Sequence, residues 1–447
     1  MLKMGGVETK TTMNMSSNMP NKSPKLSNKQ EMLTPLAPYV HVPELLHPAA
    51  DSASSAYESY IMLPELKSLW EKQEFTDWKN EHILKPALQG LELTFRFIST
   101  ALFDPRPYIN KREMNRRLES LAATQIEIIA ALLEDEIGDN QALTMGVGAK
   151  ISENSLLPAL CGWQRSERVA RKIIHTIERE MINCPHTLGL GEPNMSNKPT
   201  LNYDLISKPL ELHSLKQGSF ETDSNFQSYE NQTIFTIHQI LETWIFVSKQ
   251  VIRKLVSEIK NKDYSKASTL CWLLEKMWKL LTEIEDTHLL MDPDDFLRLK
   301  NQLSIKVSTE SDLFCFRSKG LIEITKLSKE LRHKVPEILE AEVDPKGGPT
   351  IQIEAMKLYR KKDGFERIHL LQGMQAVEMA VKRFYYSYKQ LVVVVMGSLE
   401  INMNRGLQVM DVGHVLDRIF LDPTYYPSLD AAKTFLGYYY WKHENGN

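Results

Sequence analysis

The chain has 447 residues, 42% of them hydrophobic and 25% charged, with a formal net charge of −3. That is enough apolar material for a sizeable core in one large or two ordinary domains. The small net charge gives no reason to expect nucleic acid or a strongly anionic surface as partner. Cys161, Cys184, Cys271 and Cys315 are widely spaced and form no Cys-x-x-Cys pair, so neither a zinc knuckle nor a disulfide framework is indicated. Reduced thiols in a cytoplasmic protein are the expectation. The longest aliphatic burst, Leu391 to Met396, is far short of the ~20 residues needed to span a bilayer. The N-terminus lacks the apolar stretch of a secretory signal. Met4-Gly-Gly-Val-Glu-Thr9 fits a myristoylation pattern only if translation starts at Met4.

Residues 1–52 are rich in Met, Asn, Ser, Pro and Lys, with little periodic apolar content, and predict a disordered tail. Ser23-Pro24, flanked by lysines, is a candidate phosphorylation site. From Ala53 the signal is helical. Pro64 opens one helix, followed by Leu66, Leu69 and Trp70. Leu84, Leu88, Leu91, Phe95 and Ile98 form a longer stripe; Met114, Leu118, Leu121, Ile126, Ile129 and Leu132 form another. Ser155 to Ile182 reads as a further helix. Residues 186–229 carry Gly, Pro, Asn and Ser with poor periodicity and read as an irregular linker or functional loop. Helices resume at about 230–260, 264–288, 293–303, 312–340, 351–361, 366–396 and 428–441. Strand signals are almost absent, so the fold class is all-α, a helical bundle.

The stretch Asn231–Leu255 holds the strongest functional hint. Ile234, Ile237, Leu241, Ile245, Val251 and Leu255 recur at helical spacing, and His238 sits among them with Glu242 one turn on and Trp244 nearby. A histidine in an apolar wall can hold a ligand, a haem or a proton; more often it is a core residue with its ring nitrogens satisfied locally. Glu285-x-x-His288 and Glu366-x-x-His369 have the one-face spacing of di-metal carboxylate sites, with Glu242 and Glu378 as further ligands. The same pattern at Glu44-x-x-His47 shows how readily it arises, and helix-surface charge is the simpler reading. No His-Glu-x-x-His, P-loop or Gly-x-Ser-x-Gly occurs. Lys111, Arg112, Arg116 and Arg117 make a basic cluster, and Trp163 to Ile177 a basic amphipathic helix; both suit calmodulin or a membrane surface, but a solvated face explains them more simply. Tyr438-Tyr-Tyr-Trp441 reads as a stripe docking the last helix, with partner binding as the alternative.

Two resemblances bear on these residues. The His238-Gln-x-x-Glu-x-Trp244 run, Leu290 to Lys300 and Thr424-Tyr-Tyr-Pro-Ser-Leu-Asp430 resemble, in order, segments of tryptophan 2,3-dioxygenase. That resemblance implies a dioxygenase-like helical domain over 230–447, His238 above a haem, Tyr388 where the family has its proximal histidine, with Tyr385 and Tyr386 as near alternatives, and Phe296 and Lys300 in the substrate clamp. Tyrosine for histidine, lysine for the clamping arginine, and Ser398-Leu-Glu-Ile-Asn402 in place of the family's Gly-rich loop leave required catalytic parts changed or missing. The pocket candidates are therefore His238, Trp244, Phe296, Lys300 and Tyr388, in a fold expected to have lost dioxygenase activity and to carry no cofactor, haem being the alternative.

The second resemblance is closer. Met19-Pro-Asn-Lys-Ser-Pro-Lys-Leu-Ser-Asn-Lys29, Arg106-Pro-Tyr-Ile-Asn110, Thr187-Leu-Gly-Leu-Gly-Glu192, Leu289-Leu-Met-Asp-Pro293 and Leu429-Asp-Ala-Ala-Lys-Thr-Phe-Leu-Gly437 look like the plant nematode-resistance proteins called HSPRO. This implies a stress-responsive, non-enzymatic regulator of basal defence. It also implies association with the regulatory beta-gamma subunit of the plant energy-sensing (sucrose-nonfermenting-related) kinase complex. A haem or small-ligand sensor, or a divergent oxygenase, is the alternative. On this reading the chain divides into a tail (1–52), an N-terminal helical region (53–185), the irregular segment (186–229) and the C-terminal domain (230–447).

Overall fold

The computed structural model describes residues 57–75, 78–103, 110–134, 203–215, 229–291, 318–342, 350–361, 364–396, 419 and 421–444. These lie in one compact unit, Pro43–Asn447. Among them all regular structure is helical and no strand occurs. In chain order the helices are α1 (Leu63–Glu71), α2 (Glu81–Phe103), α3 (Lys111–Glu134), α4 (Tyr203–Ser207), α5 (Pro209–Ser214), α6 (Tyr229–Lys260) and α7 (Tyr264–Asp286). After α7 come a 3-10 turn at Thr287–Leu290, α8 (Lys319–Glu330), a second 3-10 turn at Leu331–Lys334, and α9 (Val335–Leu339). The last three are α10 (Thr350–Lys361), α11 (Phe365–Met396) and α12 (Pro427–Glu444).

The helices start where local chemistry dictates. Asp263 caps α7 by accepting from the Lys266 amide at 3.1 Å, and Ser318 caps α8 by accepting from the Leu321 amide at 2.9 Å. Pro64, Pro209 and Pro336 stand in first turns, where the missing N–H is not needed. Lys262 adopts a left-handed φ of 61° in the tight link that reverses the chain between α6 and α7.

Helix α6 is the axis of the fold. It packs on α2, α7 and α8, and α7 packs in turn on α11 and α3. The apolar spacing of 231–255 predicts a one-sided amphipathic helix. The structure departs from that: every side chain from Thr233 to Ile245 is buried, because α2, α7, α8 and residues 57–62 enclose the helix on all sides. Its polar residues must then find partners inside. Thr243 Oγ1 donates to the Gln239 carbonyl at 2.7 Å, and Gln239 Nε2 to the Ile61 carbonyl at 3.1 Å. Helix α2 is likewise buried from Ile83 to Ile98.

One continuous apolar cluster runs from Tyr57 through α2, α3, α6, α7 and α11 to Ala432. The boundary at about 185 therefore divides the chain and not the core. The segment 186–229 is also less irregular than its composition suggests. It contains α4 and α5, pinned to α2 by buried contacts: Tyr203 donates to Glu92 Oε2 at 3.0 Å, and Arg96 donates to the Leu212 and Leu215 carbonyls, each at 3.1 Å. No helix of the described residues is long and apolar enough to cross a membrane.

Candidate functional site

Helix α6 aims two polar side chains one turn apart, His238 and Glu242, at a point where residue 57, the end of α7 and the start of α8 converge. Tyr57 lies between them. Its hydroxyl donates to Glu242 Oε1 at 3.1 Å and lies 3.4 Å from His238 Nδ1, with the two rings edge to face at 5.6 Å. With the phenol proton committed to Glu242, the Nδ1–H tautomer of His238 completes a relay, His238 to Tyr57 to Glu242. Ser318 supplies a second bond to Glu242. The same Ser318 oxygen caps α8, so it accepts from a backbone amide and donates to the carboxyl at once. Gly320 makes this approach possible: a Cβ there would stand 2.8 Å from Ile245 Cγ2 and 3.2 Å from Glu242 Oε2.

The far side is closed by the Glu285-x-x-His288 pair. The His288 ring packs on His238 at 5.2 Å, and its Nδ1 lies 2.9 Å from the Glu285 carbonyl and 3.2 Å from Glu285 Oε2. Tyr388 on α11 is buried, stacked on Phe384 at 6.3 Å, and close enough to act electrostatically on Tyr57. His238, Glu242, Glu285, His288, Tyr57 and Tyr388 are all 3% exposed or less.

Burial dominates the electrostatics. It pushes the Glu242 carboxyl up to about 7, against the opposing pull of the bonds from Ser318 and Tyr57. Burial, helped by His288, holds His238 well below the ordinary histidine range, so the ring is neutral. Burial, Glu242 and Glu285 raise the Tyr57 phenol well above its usual value. Chemically, the knot can hold or release one proton, at Glu242, close to neutral pH.

Of the five pocket residues read from the sequence, the structure brings His238 and Tyr388 to this knot. Trp244 does not join them. It lies six residues along α6 and faces α2 and α3, where its Nε1 donates to Gln125 Oε1 at 2.9 Å. Phe296, Lys300 and Ser23 lie outside the described residues. Of the residues with di-metal spacing, His288 and Glu285 lie beside His238, whereas Glu366 is exposed at the start of α11, and Glu378 is engaged by the Tyr425 amide at 2.9 Å and by Lys382 at 2.7 Å. Among the described residues no group of three or more His, Cys, Asp or Glu is placed to hold a metal.

Tyr57 and Ser318 are the members that sequence reasoning missed; neither belongs to a motif, and only the tertiary fold brings them here. In the basic cluster on α3, Arg116 and Arg117 both bond Glu113, at 2.7 and 2.9 Å, and Arg117 is half-buried and also donates to the Asp286 carbonyl at 3.1 Å. The Trp163–Ile177 helix lies outside the described residues. The aromatic run on α12 is corrected in part. The helix docks through Leu429 and Ala432, and Tyr439 packs against Arg360 of α10 at 4.6 Å, while Tyr438, Tyr440 and Trp441 point outward. A shallow surface cleft of about 320 Å³ is lined by Phe75, Leu205, Pro209 and Leu210, with Lys208 at its edge bonded to Glu74 at 2.6 Å.

Two family models cover nearly the whole chain: "Hs1pro-1 N-terminus" over residues 4–178 and "Hs1pro-1 protein C-terminus" over residues 181–443. The chain is 51% identical over 431 residues to the nematode resistance protein-like HSPRO2 of Arabidopsis thaliana, covering 96% of this chain and 97% of the relative. It is 52% identical over 390 residues to the nematode resistance protein-like HSPRO1 of the same plant, covering 87% and 91%. No solved structure matches the chain, so the dioxygenase-like layout gains nothing from that side. With both family models matched end to end and half the residues shared with two relatives over most of their length, the chain belongs to the Hs1pro-1 (HSPRO) family.

Proposed function

We propose that this protein is a regulator of plant defence, including resistance to nematodes and bacteria, that acts by binding another protein and not by catalysis. Family membership supports the defence role. The single observation that supports the non-enzymatic part is the Tyr57 side chain, seated between His238 and Glu242 with its hydroxyl 3.1 Å from the carboxyl. A buried side chain hydrogen-bonded in that place narrows the room beside His238 for a cofactor or substrate. The partner we infer is the regulatory beta-gamma subunit of the energy-sensing kinase complex, and the setting cytoplasmic.

Two measurements test the reading. Titrating the purified full-length protein against the purified beta-gamma subunit should give saturable binding; no heat or signal change up to about 100 μM would sink the partner assignment. Incubation with tryptophan, haem and reductant should give no kynurenine-type product above a heat-killed control, and no shifted haem absorption band. Turnover, or a stable haem spectrum, would restore the oxygenase or sensor alternative.

A further inference from the structure

We propose that Glu242 is the pin of a pH-operated clasp: when it ionises, residues 57–62 and the start of α8 come away from α6 together. The clasp has two layers. In the inner layer the Glu242 carboxyl is held by two hydroxyls, Tyr57 at 3.1 Å and Ser318. In the outer layer the next residue of each segment closes over them, with Lys319 Nζ 4.0 Å from Glu58 Oε1. Two segments distant in sequence thus grip one carboxyl of the central helix, and each also meets the other.

The grip suits a neutral acid better than an anion. Glu242 is 3% exposed, and among the described residues no cation is bonded to it. An ionised carboxylate accepts about four hydrogen bonds, and the clasp supplies two. Water must supply the rest, because a buried charge without partners is costly. The seam between the segments is the side open to water: the Lys319 and Glu58 side chains are 49% and 26% exposed.

Neighbouring charges do not replace that water. Lys67 on α1 favours ionisation from a distance and Glu58 opposes it. On α6 itself His238 is neutral. At the end of α7 Glu285 and His288 hold each other at 3.2 Å, and on α11 Tyr388 acts on Tyr57. On α2 Lys85 and Arg96 are engaged by backbone carbonyls and Glu92 by Tyr203; on α8 Glu323 is engaged by Lys249.

The closed clasp holds the carboxyl at about 7, and opening returns it to its ordinary value near 4.5. The stabilisation is therefore whole below 4.5 and is lost as pH rises through about 7. Between pH 5.5 and 7.5 the opening equilibrium should rise about 20-fold.

Hydrogen exchange of the full-length protein tests this, read by mass spectrometry at the two pH values and corrected for the intrinsic rate of each amide. Amides of residues 57–62 and 319–324 should open about 20-fold more at pH 7.5. They should do so regardless of low urea, which speeds exchange in the middle of α7, where only unfolding of the whole molecule exposes the amides. Glu242→Gln should make both segments indifferent to pH. Tyr57→Phe removes one hydroxyl and should raise the opening of both segments about 2- to 10-fold. Opening that is equal at the two pH values overturns the proposal, as does a rise that Glu242→Gln retains. So does a urea response in these segments equal to that of α7, since they would then open only when the whole fold does. A Tyr57→Phe effect confined to residues 57–62 also overturns it, because the two segments would not share a pin.

Discussion

The Tyr57 hydroxyl donates to Glu242 Oε1 at 3.1 Å across 185 residues of chain. This bond ties the first described residues to the axis of the core, and two of its neighbours depend on it. Glu242 uses it to offset part of its burial, and His238 is set in one tautomer by it.

Truncation separates the tail from this anchor. Residues 1–52 lack the periodic apolar content for a core, and their removal should shift the melting temperature by no more than about 2 °C. Removal of residues 1–62 also takes away Tyr57 and Ile61, 1% and 0% exposed, and the carbonyl that receives Gln239. Stability should then fall by about 5 kcal/mol or more. Equal melting of the two truncations in a thermal scan would show that Tyr57 contributes nothing.

Glu242→Gln should change how stability responds to pH. Burial raises the Glu242 carboxyl from an unfolded value near 4.5 to about 7. Between those values the folded state holds a proton that the unfolded chain has lost, so stability falls as pH rises through this window. Above about 7 the wild type carries the full penalty, of order 3 kcal/mol at most. Glutamine keeps an acceptor for Tyr57 and has no charge to bury. The variant should match the wild type at pH 4.5 and exceed it at pH 8 in urea unfolding. A constant offset at both pH values would show that Glu242 does not titrate in this window.

The helices were legible because their cause is local. Spacing of apolar residues placed α2, α3, α6, α7, α10, α11 and α12 within a few residues of their observed ends, since each needs one stripe to meet a neighbour. The short helices α4 and α5 were not legible. Their five and six residues hold too few turns for a period, and they persist because Tyr203 and the Leu212 and Leu215 carbonyls are caught by α2. Within the knot, His238 stood out as a polar residue in an apolar run, while Tyr57 stood in no pattern at all. Trp244 was grouped with His238 from adjacency in a motif, but six residues turn the helix by about 240°, to a different neighbour.

That neighbour gives a packing test. A Cβ at Gly90 would come within 3.0 Å of Trp244 Nε1 and 3.3 Å of Thr243 Cγ2. Gly90→Val should force the indole off Gln125 and destabilise the protein by about 1–3 kcal/mol, read as a lower urea midpoint. Gly90→Ala should cost less, because about 1 kcal/mol of helix propensity returns. A valine variant as stable as the wild type would mean that α2 and α6 are not in close contact there.

His238→Leu asks whether the knot is a working site or a structural one. The ring is buried and neutral, its ordinary affinity for a proton suppressed by burial and by His288. The unfolded chain still takes up that proton below about pH 6.5. The sign is therefore opposite to that of Glu242: the histidine's contribution is whole above 6.5 and is lost as pH falls, because protons favour the unfolded state. Leucine has no such liability. At pH 7.5 the variant loses the Tyr57 and His288 ring contacts but leaves the Tyr57 bond to Glu242, and it should lie within about 1.5 kcal/mol of the wild type. At pH 5 it should melt higher, relative to the wild type, than it does at pH 7.5. Binding of the proposed partner, the kinase beta-gamma subunit, should be unchanged, since the ring is 1% exposed. Loss of that binding with the fold intact would show that His238 is part of what the protein recognises or senses, and the non-enzymatic reading would give way to a ligand-dependent one.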